Sequence, residues 1–85
     1  MRTVAFHADA FRDYSDWATR DPKLFERLTR LIVEILRDPF GGIGKPEPLK
    51  HAFQGWWSRR IDGEHRIVYK LVGGQIWIAQ LRYHY

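Results

Sequence analysis

The spacing of hydrophobic and polar residues changes character three times along the chain. Thr3-Val4-Ala5-Phe6 is a short β-prone opening and predicts one strand. Phe11, Tyr14, Trp17 and Ala18 then fall at i, i+3, i+6 and i+7, the spacing of one helical face, so residues 8–20 read as an amphipathic helix. Asp21-Pro22 predicts the next helix start. Asp21 can accept hydrogen bonds from the free N–H groups of the first turn, and proline at the first helical position has no N–H to leave unpaired. Leu24, Leu28, Leu31, Ile32, Ile35 and Leu36 recur with helical period and place the second helix at 22–37, with this stripe as core. Pro39 ends it, because Asp38 before a proline is pushed out of helical angles.

No regular element fits the stretch Gly41-Gly42-Ile43-Gly44-Lys45-Pro46-Glu47-Pro48. Pro46 and Pro48 hold Glu47 in an extended setting and fix its carboxylate more firmly than an ordinary loop would. The period then shortens. Trp56 to Ile61 predicts a strand, Asp62-Gly63 a two-residue hairpin turn, and Glu64 to Val72 the returning strand. Gly73-Gly74 turns the chain again, and Gln75 to Tyr83 returns once more. The order is β-α-α-β-β-β, an α+β domain in which two helices cover one face of an antiparallel sheet and leave the other face free. With 85 residues and no internal repeat, residues 1–85 read as a single domain.

Charge adds a direction. There are 14 Lys and Arg against 10 Asp and Glu, for a formal charge of +4. Acids and bases alternate up to residue 40, whereas Lys45, Lys50, Arg59, Arg60, Arg66, Lys70 and Arg82 follow with few acids between. The first half reads as scaffold and the second as the working surface, suited to an anionic partner: RNA, DNA or an acidic protein segment. Aromatic residues make up 15% of the chain, enough to fill a small core and leave some to stack on nucleobases. The absence of cysteine removes disulfides and thiolate zinc sites. Neither a signal-peptide stretch nor an apolar run long enough to span a membrane is present, and the expectation is a soluble cytoplasmic protein.

The sequence holds no phosphate-binding glycine loop, no HExxH and no Gly-x-Ser-x-Gly elbow, and Ser15 and Ser58 have no nucleophile context. His7, His51, His65 and His84 do not form a metal-ligand spacing, so no cofactor is expected and any phosphoryl chemistry must proceed without a metal. Metal-free RNA cleavage needs a base for the ribose 2′-OH, an acid for the departing 5′-oxygen, and a fixed cation for the charge on pentavalent phosphorus. The second half supplies all three types: Glu47 as base, His84 as acid, and Arg66 with Lys50, Arg59 and Arg60 as cations. At neutral pH roughly a quarter of a free imidazole is protonated, which suits His84 to the acid role. Arg59 and Arg60 oppose each other on a strand, so one of them faces the RNA; Trp56 and Trp57 oppose each other too, so one is core and the other serves a dimer contact or the substrate surface. Structural alternatives stand beside each role. Glu47 can be a solvated loop acid, Arg66 a cross-strand partner of Glu64, and His84-Tyr85 a frayed end, while His51 and His65 fit structural roles.

Gly44-Lys45-Pro46-Glu47-Pro48-Leu49-Lys50-His51, Gly55-Trp56-Trp57-Ser58-Arg59-Arg60-Ile61, Glu64-His65-Arg66-Ile67-Val68-Tyr69 and Arg82-Tyr83-His84-Tyr85 occur in this order over the second half. Together they resemble the YoeB toxins of bacterial toxin–antitoxin pairs, within the RelE superfamily. The resemblance implies a RelE-like fold of two helices on a twisted antiparallel sheet. It implies ribosome-dependent cleavage of messenger RNA in the A site of the 70S ribosome, leaving a 5′-hydroxyl and a 2′,3′-cyclic or 3′-phosphate. Carried over position by position, Glu47 is the general base, His84 the general acid, Arg66 the phosphate-stabilising cation, and Tyr85 orients or stacks on the substrate. Lys50, Arg59 and Arg82 are expected as further substrate contacts. A cognate antitoxin whose disordered tail folds over the toxin, and a homodimer, are the implied protein partners. Two other functions stay open: a non-catalytic inhibitor of DNA gyrase, as in the related ParE proteins that lack the acid–base set, and a passive RNA-binding module.

Overall fold

The structure is a computed structural model and describes residues 2–82. Its elements are strand β1 (Thr3–Phe6), helix α1 (Ala8–Arg20), helix α2 (Pro22–Arg37), a two-residue strand β2 (Glu47–Pro48), a 3-10 turn (His51–Phe53), and strands β3 (Trp57–Arg60), β4 (Arg66–Val72) and β5 (Gln75–Gln80). Both helices begin and end where the residue pattern places them. The Asp21 carboxylate accepts from the Leu24 N–H at 3.1 Å, with Pro22 opening the helix behind it. No helix among the described residues is long and apolar enough to cross a membrane.

The five strands form one sheet in the order β1-β5-β4-β3-β2. It is mixed rather than wholly antiparallel. β2, β3, β4 and β5 pair antiparallel, but β1 lies parallel to β5, with Val4 opposite Ile76 and Phe6 opposite Ile78. A helical pair between β1 and the rest leaves β1 free to dock on an edge in either direction, and strand patterning carries no information on that choice. The α2 stripe Leu24, Leu28, Leu31, Ile32 and Ile35 is buried in one cluster with Ile67, Tyr69, Ile76 and Ile78 of the sheet and with Ile61 just after β3. Each such side chain contributes about 1.5–3 kcal/mol by leaving water. On α1 the buried residues are Ala10 and Trp17, with Tyr14 packed beside them, while Phe11 is 57% exposed and touches Phe6 edge-on. The inward face of α1 is therefore turned one residue from the Phe11–Ala18 stripe.

Two details of the strands follow from side-chain chemistry. In β5, Ile76, Ile78 and Leu81 are all buried, although Leu81 breaks the period of two. The register slips between Val68 and Tyr69, which face Gln80 and Ile78, so Ala79 is an extra bulged residue and Gln80 turns to the opposite face. In the β3–β4 connection Gly63 does not take the positive φ of a two-residue hairpin turn. Ile61 N–H donates to the His65 carbonyl, and the Asp62 carboxylate accepts from Glu64 N–H at 2.8 Å and His65 N–H at 2.7 Å. The side chain of Asp62 thus organises a longer turn.

That cap gives an acid-dependent stability. Burial pushes the Asp62 carboxyl up, but the His65 and Glu64 N–H groups and the charges of His65 and Arg27 outweigh it and hold it below its usual 3.8. A group whose folded-state pKa is the lower one stabilises the fold above its ordinary value, and the contribution is lost as pH falls through the folded value. Asp62→Ala is expected to cost about 1 kcal/mol at neutral pH. In urea unfolding at a series of pH values, the gap between variant and parent should narrow as pH drops below that range.

Candidate active site

Alternation along the strands sorts the sheet into two faces. Ile67, Tyr69 and Leu71 of β4 face the helices, and so do Trp57 and Arg59 of β3. The opposite face carries Arg66, Val68 and Lys70 from β4, Ser58 and Arg60 from β3, Trp77 from β5, and Glu47 from β2. This second face is not wholly open: Ser58 and Val68 at its centre are buried.

Glu47 lies directly opposite Ser58, and Ser58 sits diagonally beside Arg66 across the β3–β4 ladder. The Arg66 guanidinium donates from Nε and Nη2 to the Ser58 hydroxyl at 3.1 and 2.8 Å. Nη2 also reaches the Glu47 carboxylate at 3.4 Å. The Arg66 side chain is 11% exposed and that of Glu47 is 57% exposed, so a carboxylate open to solvent stands beside a guanidinium fixed from below. Arg60, which is exposed, is paired in register with Arg66 on the same face. Like charges directly opposite are unfavourable in a sheet, and an anion bound between them relieves the repulsion. Pro48 is compatible with pairing because β2 is the edge strand, where a missing N–H leaves no ladder bond unmade.

The loop that delivers Glu47 is anchored by Arg59, and the expected role of this residue is overturned. Arg59 is fully buried. Its Nε donates to the Tyr69 hydroxyl at 3.0 Å, Nη1 to the Ile43 carbonyl at 3.1 Å and Nη2 to the Asp38 carbonyl at 2.6 Å, while Tyr69 donates to the Pro39 carbonyl at 2.7 Å. It points to the helix side of the sheet and cannot meet a phosphate on the other face. Arg60 is the member of the pair on the Glu47 side. Burial raises the Tyr69 phenol above its usual 10.0, against the hydrogen bond and charge of Arg59, which lower it.

Gly44 closes the same loop. Its carbonyl accepts from Arg60 N–H at 2.8 Å, and its φ is +84°. A Cβ there would stand 2.8 Å from Leu31 Cδ2, 3.2 Å from Arg59 Cβ and 3.3 Å from the Arg60 carbonyl oxygen. Gly44→Ala combines a left-handed backbone, about 1–2 kcal/mol, with this crowding. A loss of about 2 kcal/mol or more is expected in equilibrium denaturation.

The other expected contacts divide. Lys50 is exposed and, with Glu47, Pro48, Leu49 and His51, lines an open depression of about 500 Å³. Arg82 does not join this group. Its guanidinium lies against α1, 3.8 Å from Asp13 and 3.7 Å from Asp16, and stacks 5.2 Å from the Trp17 ring. The run of bases near the chain end concealed this, because the matching acids lie on α1. His65 is buried edge-on to Trp17, a structural place. His84 and Tyr85, and Tyr83 at the expected end of the last strand, lie outside the described residues. Among the described residues no three His, Asp or Glu side chains converge as a metal site would require. Ser58 carries no nucleophile context in the sequence, and its place beside Arg66 is not expected from it. The available signal was strand parity, which puts Ser58 on the side of Arg66.

Two helices on one face of a mixed five-stranded sheet place the chain in a class of small α+β proteins, and solved structures that share the arrangement are toxins. The YoeB-YefM toxin–antitoxin complex from Staphylococcus aureus, a heterotetramer, superposes with a TM-score of 0.90 at 40% identity, covering 100% of this chain and 99% of that one. A YoeB dimer from the same organism superposes with a TM-score of 0.91 at 40% identity, covering 99% and 98%. Toxin YoeB of Mycobacterium bovis is 53% identical over 85 residues, the full length of both chains. Residues 6–85 match the model of the YoeB-like toxins of bacterial type II toxin–antitoxin systems, and the chain belongs to that family.

Proposed function

We propose that this toxin is a metal-free, ribosome-dependent endoribonuclease that cuts messenger RNA in the A site of the 70S ribosome. The observation that carries the reading is the solvent-open Glu47 carboxylate 3.4 Å from an arginine that Ser58 holds in place. Glu47 removes the proton from the ribose 2′-OH, and the alkoxide attacks the adjacent phosphorus. Arg66 stabilises the charge on the phosphoryl oxygens. His84 protonates the departing 5′-oxygen, and Tyr85 orients the substrate. The products are a 2′,3′-cyclic phosphate, opened to a 3′-phosphate, and a 5′-hydroxyl. Lys50 and Arg60 hold neighbouring phosphates. A toxin that acts on translated messages would act in the cytoplasm.

The protein partners follow the relatives: an antitoxin, as the YoeB-YefM complex supports, and a second copy, as the S. aureus dimer supports; the antitoxin's disordered tail folds over the toxin. Mapping of RNA ends on a translated message and on the same message without ribosomes tests the reading. New ends bearing 5′-hydroxyl groups should appear only on the translated one. Inhibition of gyrase supercoiling with intact message would point instead to the ParE-like activity.

A further inference from the structure

A second group of side chains on the Glu47 face has no part in the proposed chemistry. Lys70 lies directly opposite Trp77, and Trp56, just before β3, lies on the other side of Lys70. The Lys70 ammonium is 5.6 Å from the centre of the Trp56 ring. His7, which follows β1, stands edge-on to both indoles, 5.7 Å from Trp77 at 80° and 6.2 Å from Trp56 at 85°. None of the four belongs to the core cluster, and each retains solvent exposure. Two indoles flanking a cation on the polar side of a sheet are not needed to hold the helices.

We propose that Trp56, Lys70 and Trp77, with His7 beside them, form a nucleobase-stacking subsite for single-stranded RNA bound across the face that carries Glu47 and Arg66. The inference rests on the ribonuclease reading and extends it. Lys70 and Arg66 are four residues apart on one strand and share a face, so the subsite lies about 13 Å from the phosphate-binding cation. A strand whose phosphate is gripped at Arg66 passes over the indoles a short run of nucleotides away. Indole faces accept any base, while the lysine neutralises backbone charge. Charge favours RNA over a second copy of the chain as the occupant. Lys50, Arg60, Arg66 and Lys70 all lie on this face or its rim. Two copies face to face would bring these cations together, whereas a polyanion pairs with them.

The test uses a short fluorescent 2′-O-methyl RNA, which cannot be cut by 2′-OH attack, and the same backbone without bases. Trp56→Ala and Trp77→Ala should each weaken binding of the base-bearing strand about tenfold and leave the abasic strand unchanged. Trp77→Phe should restore most of the loss. Lys70→Ala should weaken both strands alike and flatten the salt dependence. Unfolding midpoints report whether each variant remains folded. Equal affinities for parent and tryptophan variants, or an equal loss with the abasic strand, would overturn the subsite. So would a loss confined to self-association. Cleavage of a translated message by the parent protein is measured in parallel. If the parent does not cut, the ribonuclease reading fails; if it cuts and the tryptophan variants bind unchanged, the subsite alone fails.

Discussion

Glu47→Ala and Arg66→Ala should each slow cleavage of a translated message by about a hundredfold or more, the usual worth of a general base or a transition-state cation. The two variants should differ in stability. Glu47 is largely exposed and its ion pair with Arg66 is a surface contact, worth at most about 1 kcal/mol, so Glu47→Ala should unfold close to the parent. Arg66 holds the buried Ser58 hydroxyl through two donors, and its removal should cost somewhat more. Single-turnover rates on ribosomes, read beside urea unfolding curves, separate the two effects. Ser58→Ala belongs to the same series: it leaves Arg66 charged but removes its two hydrogen bonds to the Ser58 hydroxyl, and should give a smaller loss of rate than Arg66→Ala. If Glu47→Ala cuts at the parental rate, the carboxylate is not the base.

The largest loss of stability is expected at Arg59. Arg59→Met keeps much of the side-chain volume but removes every donor to the Tyr69 hydroxyl and the Ile43 and Asp38 carbonyls. Leaving one buried and two part-buried acceptors without these donors costs about 1–3 kcal/mol each where water cannot replace the donor, so a total of about 3–5 kcal/mol is expected from denaturant unfolding. Lysine should recover little, because one ammonium cannot reproduce three diverging N–H groups. Activity should fall with stability, since the anchored segment is the one that leads to Glu47. An Arg59→Met protein as stable as the parent would show that the loop is held by other means.

How far the sequence discloses this arrangement depends on what kind of interaction fixes each part. The helices are legible because their signals are local: Asp21-Pro22 starts α2, Asp38-Pro39 ends it, and the leucine–isoleucine stripe marks its buried side. The parallel docking of β1 is not legible, because the direction in which an edge strand pairs is decided by a partner over 70 residues away. β2 is not legible either, because a two-residue strand with proline has no periodicity of its own and exists through its pairing with Ser58 and Trp57. At the site, Glu47 and Arg66 are brought together as the functional reading requires. Arg59 and Arg82 are not, since a positive charge in sequence does not reveal whether its partner is solvent, a carbonyl or an acid on a distant helix. His84 rests on its imidazole chemistry and the resemblance, and Tyr85 on the resemblance alone.

The most direct test is cleavage of a ribosome-bound message in which the single nucleotide 5′ to the cut carries 2′-deoxyribose. Attack by a neighbouring hydroxyl activated by Glu47 requires that oxygen, so the deoxy message should remain whole at that linkage while an all-ribose message is cut to 5′-hydroxyl ends. Undiminished scission of the deoxy message, or new ends bearing 5′-phosphate, would contradict the assignment.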